Sequence, residues 1–310
     1  MCEKRLILLF MNPQLKAYSY ALIAIAFWST MSSAFKISLN YIAFDMLLFF
    51  AVWAAVIVLG LLLIPGGSWK LLLQTTSSEW KRSLLMGFLN PFAYYLILFK
   101  AYELLPAQEA GVLNYSWPVV LVILSVPLLG QKIGKIGILA IIVSFSGLLV
   151  ISTKGNILGL QFGNPQGVVL AVGSAFFWAL YWIINMKDKR EALVKTFTNM
   201  LIGSIFISIY IIAGNKLILP GYEALLGAMY IGMFEMGITF VIWLKALKLS
   251  VNTAKVSNLV FMSPFLALFW IRLFVGEKIL FSTIVGLVLI VAGILIQQLD
   301  KAPVARPSSR

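Results

Sequence analysis

The chain has 310 residues, 61% of them hydrophobic and only 11% charged, and its formal net charge is +13. With a mean hydropathy of +0.98, it carries more apolar surface than a soluble core of this length can hide, so its solvent is lipid. His is absent and there is one cysteine, Cys2, which removes the commonest general base and metal ligand and any internal disulfide.

Residues 1–16 read as a short cytoplasmic leader, since Met1 to Met11 lacks a signal-length apolar run and a small-residue cleavage site. Apolar runs of the roughly 18 to 22 residues needed to cross a bilayer follow at 17–35, 43–64, 83–102, 108–129 and 135–152. After a loop at 153–165, five more fall at 166–186, 195–214, 223–244, 254–275 and 282–298. All ten read as helices, because a lipid-exposed backbone must satisfy its own hydrogen bonds and no barrel alternation is present. The tail at 300–310, rich in Pro and Ser, reads as disordered and cytoplasmic.

The second half repeats the first. Lys100-Ala101, Pro118, Gly130-Gln131-Lys132-Ile133 and Gly147 return as Lys245-Ala246, Pro264, Gly276-Glu277-Lys278-Ile279 and Gly293, an offset of 145 to 146 residues. Phe27-Trp28 returns as Phe177-Trp178. Five spans per copy place the copies upside down relative to each other, so the expected fold is an all-α polytopic membrane protein of ten transmembrane helices in two inverted five-helix repeats, 17–152 and 166–299. That is the layout of secondary transporters working around a midplane site. Of the 24 Lys and Arg residues, six fall in the odd-numbered loops and 18 in the even loops and termini, which places both termini in the cytoplasm. The basic residues form no dense patch and argue against a nucleic-acid partner.

Polar residues inside spans are the candidate site. Glu235 lies halfway along the eighth span, where a charge costs about 2.5 to 3.5 kcal/mol and is expected to face the bundle interior or a wet cavity; a proton site, a counter-charge for an amine and a structural carboxyl all fit it. Asn90, its repeat partner, precedes Pro91, and Tyr94 continues that face; a cavity opening and a packing kink both fit. In the fourth span Pro118 frees the carbonyl of Asn114 within Asn114-Tyr115-Ser116-Trp117-Pro118, and the ninth span answers with Asn258 and Pro264. In the sixth, Trp178, Tyr181, Trp182 and Asn185 share one helical face. Trp28 and the hydroxyls after it occupy the equivalent face of the first span. Gly286 and Gly293 read as helix-packing positions. Lys36 and Lys100 are expected near the outer interface, with snorkelling stems.

These motifs resemble the drug/metabolite transporter superfamily of EamA type over almost the whole chain: Phe27-Trp28-Ser29-Thr30 opens the first copy, Phe177-Trp178-Ala179-Leu180-Tyr181-Trp182 the second, and Gly-x-Lys turns close both. Asn114-Tyr115-Ser116-Trp117-Pro118 with Gly130-Gln131-Lys132 is similar to the bacterial aromatic amino-acid exporter branch, although Glu235 is not a mark of that branch. The resemblance implies an inner-membrane, basket-shaped bundle with a central aromatic-lined cavity. The expected solute site is Trp28, Asn90, Tyr94, Asn114, Tyr115, Trp117, Trp178, Tyr181, Trp182, Glu235 and Asn258, on spans 1, 3, 4, 6, 8 and 9.

The expected function is alternating-access transport of small amphipathic metabolites, foremost aromatic or hydrophobic amino acids, in the export direction. The alternative is proton-coupled efflux of lipophilic cations or amines through Glu235. No cofactor or metal is called for; the partners are a small-molecule solute, membrane lipids and, in the alternative, protons, and nothing in the sequence sets the oligomeric state. An enzyme would need clustered nucleophiles or paired carboxylates, whereas the Asp and Glu residues here are scattered singly. A channel would need a ring of charges or carbonyls.

Overall fold

The computed structural model describes residues 13–130, 133–158, 163–251, 256 and 259–299. Asn258, Gln131, Lys132, most of the leader and the whole tail at 300–310 lie outside the described residues. The described chain is all-helical. Eight helices are long and apolar enough to cross a membrane: α1 (Pro13–Ser38), α2 (Phe44–Leu63), α3 (Ser77–Leu104), α4 (Ala107–Leu128), α5 (Lys135–Ser152), α6 (Pro165–Asn185), α7 (Ala192–Ala213) and α8 (Tyr222–Leu249). Two shorter apolar helices, α9 (Leu259–Val275) and α10 (Phe281–Gln297), complete the bundle.

Local chemistry sets the boundaries. Helix α3 begins six residues before its apolar run because Thr76 and Glu79 form a capping box: the Glu79 backbone N–H donates to Thr76 Oγ1 at 3.3 Å, and the Thr76 N–H donates to Glu79 Oε2 at 2.8 Å. Asn164 caps α6 by accepting from the Gly167 N–H at 2.9 Å, with Pro165 in the first helical position. Gly130 and Gly276 end α4 and α9 in the left-handed conformation, at φ 65° and 77°, so the two copies turn alike at corresponding places. A five-residue helix, Trp69–Leu73, lies in the loop between α2 and α3.

The pairing of helices respects the repeat. Helix α1 packs on α8 and α9, and their counterparts α6, α3 and α4 pack in the same way; α2 pairs with its own counterpart α7, and α5 with α10. Apolar burial drives little association in lipid, so close backbone approach matters more. Between α5 and α10, a Cβ on Gly147 would lie 2.9 Å from Ile290 Cγ1, and one on Gly286 2.7 Å from the Gly147 carbonyl oxygen. Gly293 abuts Ser144 and the Ala140 carbonyl. The glycine face of α10 is therefore a helix-packing surface.

Four helices lose regularity, in pairs that correspond between the two repeats. Helix α3 passes through a π turn at Phe88–Ala93, where Asn90 adopts φ −150° and ψ 118° before Pro91. Helix α8 has a π turn at Gly232–Gly237. Helix α4 breaks into Ala107–Asn114 and Trp117–Leu129 around Tyr115 and Ser116, as expected of Pro118, and α9 starts with a tight 3-10 turn at Leu259–Met262 before Pro264. The breaks in α4, α8 and α9 contribute residues to the candidate site.

Candidate functional site

A cavity of about 540 Å3 runs through the centre of the bundle. It is lined from α1, α3, α4, α6, α8 and α9, and also by residues of α5 and α10 such as Ala140, Ser144, Gly293 and Gln297. One end lies at the terminal face, where the described chain begins and ends; Met186 and Gln298, both on the cavity wall there, are exposed. The other end is closed. Its lining residues Phe35, Tyr102, Ala107 and Gln108 are all 4% exposed or less, so among the described residues the cavity reaches exposed side chains at the terminal face.

Eight of the eleven candidate residues line this space: Trp28, Tyr94, Asn114, Tyr115, Trp117, Trp178, Trp182 and Glu235. The Trp178 ring is the hub. It stacks on Tyr94 at 4.7 Å between centroids and meets Trp182 edge-on at 5.7 Å and Phe240 at 6.0 Å. Trp28 continues the wall through Phe240 at 5.9 Å and Trp243 at 5.4 Å. Such contacts are worth about 0.5 to 1.5 kcal/mol each beyond burial, and they hold flat apolar faces in fixed orientations.

Polar groups are fixed between these rings. The Tyr94 hydroxyl donates to Asn114 Oδ1 at 3.2 Å, and Asn114 Nδ2 donates to Ser174 Oγ at 2.8 Å, which orients the amide between α3 and α6. The Tyr115 hydroxyl donates to the Val260 carbonyl at 2.5 Å and ties the break in α4 to the start of α9. Glu235 Oε1 accepts from the Tyr95 hydroxyl at 3.0 Å. Tyr95 is fully buried, so it fixes the carboxylate from behind while the side chain of Glu235 reaches the cavity wall.

Asn90 and Tyr181 are placed elsewhere. Asn90 is fully buried and does not line the cavity, because Pro91 packs against Gly203 of α7 and turns the break toward that helix. Tyr181 is 2% exposed and packs with Met86 and Leu89 behind Trp178, whose ring it stacks on at 5.8 Å. The break in α3 is thus a packing kink, and the sixth-span stripe divides into two cavity residues, Trp178 and Trp182, and two buried ones, Tyr181 and Asn185. Asn258 lies outside the described residues.

Ser32, one of the first-span hydroxyls, lies on the wall, and sequence reasoning missed Tyr102, Phe240, Trp243 and Gln108 there. Tyr102 sits two turns beyond Tyr94 on α3, and its hydroxyl shares a 2.7 Å hydrogen bond with Ser32 Oγ; a helical projection extended from Tyr94 would have found it. Trp243 reaches the wall through its contact with Trp28, which its local sequence does not mark. The Lys36 side chain lies at the end of α3, where its Nζ donates to the Tyr102 and Leu105 carbonyls, each at 2.8 Å. Lys100 pairs with Glu103 and lies 4.9 Å from the Phe44 ring centroid. Among the described residues no cluster of His, Cys, Asp and Glu could hold a metal ion.

An inverted-repeat membrane bundle with a central cavity open to one face is the architecture of a transporter. The profile of the EamA-like transporter family matches residues 15–153 and again 165–297, and the chain belongs to this family. It is 30% identical over 207 residues to a protein of Acidianus ambivalens called "Uncharacterized transporter in sor 3'region", covering 66% of this chain and 79% of that one. It is 25% identical over 232 residues to the uncharacterized transporter YvbV of Bacillus subtilis, covering 73% of each. A shorter match, 25% over 100 residues and about a third of each chain (32% and 35%), is to the aromatic amino acid exporter YddG of Ancylobacter novellus. A solved crystal structure shares the fold with a TM-score of 0.65 at 20% identity, over 92% of this chain and 97% of that one. The protein is therefore a multi-pass membrane transporter that moves a solute.

Proposed function

We propose that this transporter moves aromatic and hydrophobic amino acids, and amphipathic metabolites of similar size, by alternating access, exporting them across a bacterial inner membrane with both termini in the cytoplasm. The single observation that carries this reading is the Trp178 hub, with Tyr94, Trp182 and Phe240 around one ring and Asn114 and Glu235 on the same wall. Flat rings suit an aromatic or branched side chain. The fixed amide and carboxylate suit a polar head with an amine, and a volume of about 540 Å3 lies within the range of roughly 300 to 1,000 Å3 typical of small-molecule sites. The named activity of the YddG relative supports the same solute class.

A second reading rests on Glu235 alone. A mid-membrane carboxylate facing a cavity can exchange a proton for a cation, which suits proton-coupled efflux of lipophilic amines. Uptake of labelled phenylalanine and of a lipophilic cation into proteoliposomes, with and without a pH gradient, separates the two. Phenylalanine transport without a gradient, reduced by Trp178→Ala, is the expected result. Transport of the cation alone, dependent on the gradient and abolished in Glu235→Gln, replaces the first reading with the second.

A further inference from the structure

The closed end of the cavity is held by a compact set of hydrogen bonds between the two repeats. Glu277, in the turn between α9 and α10, accepts from the first two backbone N–H groups of α4: Ala107 to Oε1 at 2.7 Å and Gln108 to Oε2 at 3.2 Å. These are donors that a helix start leaves without intrahelical partners, and the carboxylate also meets the positive end of the helix dipole. The Gln108 side chain returns the contact. Its Nε2 donates to the Lys278 carbonyl at 2.9 Å, and its Oε1 accepts from the Leu280 N–H at 2.9 Å and Thr283 Oγ1 at 3.0 Å. Beside it, Lys154 pairs with the buried Glu109 at 3.6 Å.

Gln108 lies on the cavity wall, so these contacts close the cavity on this face where α4 meets the α9–α10 turn. The inverted repeat supplies the comparison. Gln131 stands where the repeat offset places Glu277, and Thr253 or Ala254 stands opposite Gln108. The terminal-face counterpart in sequence therefore has a neutral amide in place of the carboxylate, and hydrogen bonds to a charged acceptor are roughly twice as strong as neutral ones.

We propose that Glu277 and Gln108 form the latch of the face opposite the termini, and that the charge on Glu277 biases the resting transporter toward the state open at the terminal face. Both act as positioning residues: they touch the helix that must move. The proposal rests on the alternating-access reading, because a latch has a kinetic role only where the two faces open in turn.

The test is thiol accessibility of the full-length protein in proteoliposomes with Cys2→Ser as background. Val112→Cys reports the closed end and Leu247→Cys the terminal-face end, each labelled by a membrane-impermeant maleimide applied from the appropriate side, with and without saturating phenylalanine. Glu277→Gln keeps the shape and removes the charge, and Gln108→Ala removes the return contacts. The expected result is labelling at Val112→Cys about tenfold faster in either variant, a shift of about 1.4 kcal/mol, with slower labelling at Leu247→Cys. Faster labelling at both positions means general loosening and overturns the latch. If phenylalanine speeds labelling at Val112→Cys in the parent while Glu277→Gln changes nothing, the latch fails and alternating access stands. If neither phenylalanine nor the variants alter either position, both fall.

Discussion

The π turns of α3 and α8 occupy corresponding places in the two repeats, yet they serve different neighbours. In α3 the break turns Asn90 and Pro91 into the interface with α7, where Asn199 and Gly203 wait. In α8 the break brings Gly232 onto the backbone of α2 at Ala51 and leaves Glu235 on the cavity wall. Inverted duplication has kept the backbone device, and the chemistry at it has diverged. One copy spends its irregular turn on packing alone and the other also places an acidic residue on the cavity wall. Changes around the α3 break are therefore expected to act on stability, and changes around the α8 break on transport.

The largest effect falls at the foot of α3. Arg190 donates to both oxygens of Asp188, the closest contact being 2.7 Å, and to Ser83 Oγ of α3 at 3.0 Å; both charged side chains are buried. Burial alone would raise the Asp188 pKa, but the Arg190 hydrogen bonds and charge outweigh it and hold the carboxyl below its usual value. Asp188→Ala leaves a buried, unpaired guanidinium, and such losses cost about 3 to 5 kcal/mol. A thermal-unfolding scan in detergent is expected to show that loss at pH 7. Because the folded pKa is depressed, the stabilisation is fully present above an unfolded value of about 3.9 and vanishes as pH falls through the folded value. The deficit of the variant relative to the parent should therefore shrink only in acid below that range; a constant deficit would break the ion-pair explanation.

Next in size is Gly203→Val. A Cβ at Gly203 runs into the Pro91 ring, and at Gly87 it would lie 2.7 Å from both the Asn199 carbonyl oxygen and the Gly203 nitrogen. Overpacking of this kind costs about 1 to 3 kcal/mol. Lower folded yield and a lower Tm are expected, with an unchanged order of preference among transported solutes in the fraction that folds. An altered order of preference would mean that the α3 break reaches the cavity after all.

How much of this was legible follows from the same contrast. The breaks themselves could be read, since Pro91, Pro118 and Pro264 announce them and the repeat offset pairs α3 with α8. The direction in which each break faces could not. Asn90 and Glu235 are equivalent by offset, and only the position of Gly203 on α7 decides that Asn90 turns away from the cavity. The stripe of Trp178, Tyr181 and Trp182 was visible at helical spacing, but a helical face is wider than a cavity wall, and the neighbouring α3 covers Tyr181. Trp243 and Tyr102 became wall residues through tertiary packing that their local sequence does not mark. The Glu277 contact joins residues 170 positions apart, and nothing in the Gly-Glu-Lys turn names its partner.

On the α8 side, Glu235→Gln is expected to leave Tm unchanged and to lower the transport rate of amine-bearing solutes at least thirtyfold, since removing one member of a desolvated charge pair costs about 2 kcal/mol or more. Initial-rate uptake together with unfolding scans checks both halves. A large fall in Tm with normal transport per folded molecule would make this carboxylate structural and erase the contrast with Asn90.

The finest test concerns Tyr95, which does not line the cavity and touches its wall through Glu235. Its hydroxyl donates to Glu235 Oε1 at 3.0 Å, and a hydrogen bond of this kind contributes about 0.5 to 1.5 kcal/mol net. Tyr95→Phe should therefore weaken transport about threefold to tenfold by loosening the carboxylate, with the change in KM larger than that in kcat. If the hydroxyl works through the charge, the same substitution in a Glu235→Gln background should add little, because the group it orients has already lost its function; such coupling is what a double-mutant cycle isolates. Full additivity would mean that Tyr95 supports the α3–α8 interface independently of the carboxylate, and the α8 break would then combine packing with solute contact as two separate tasks.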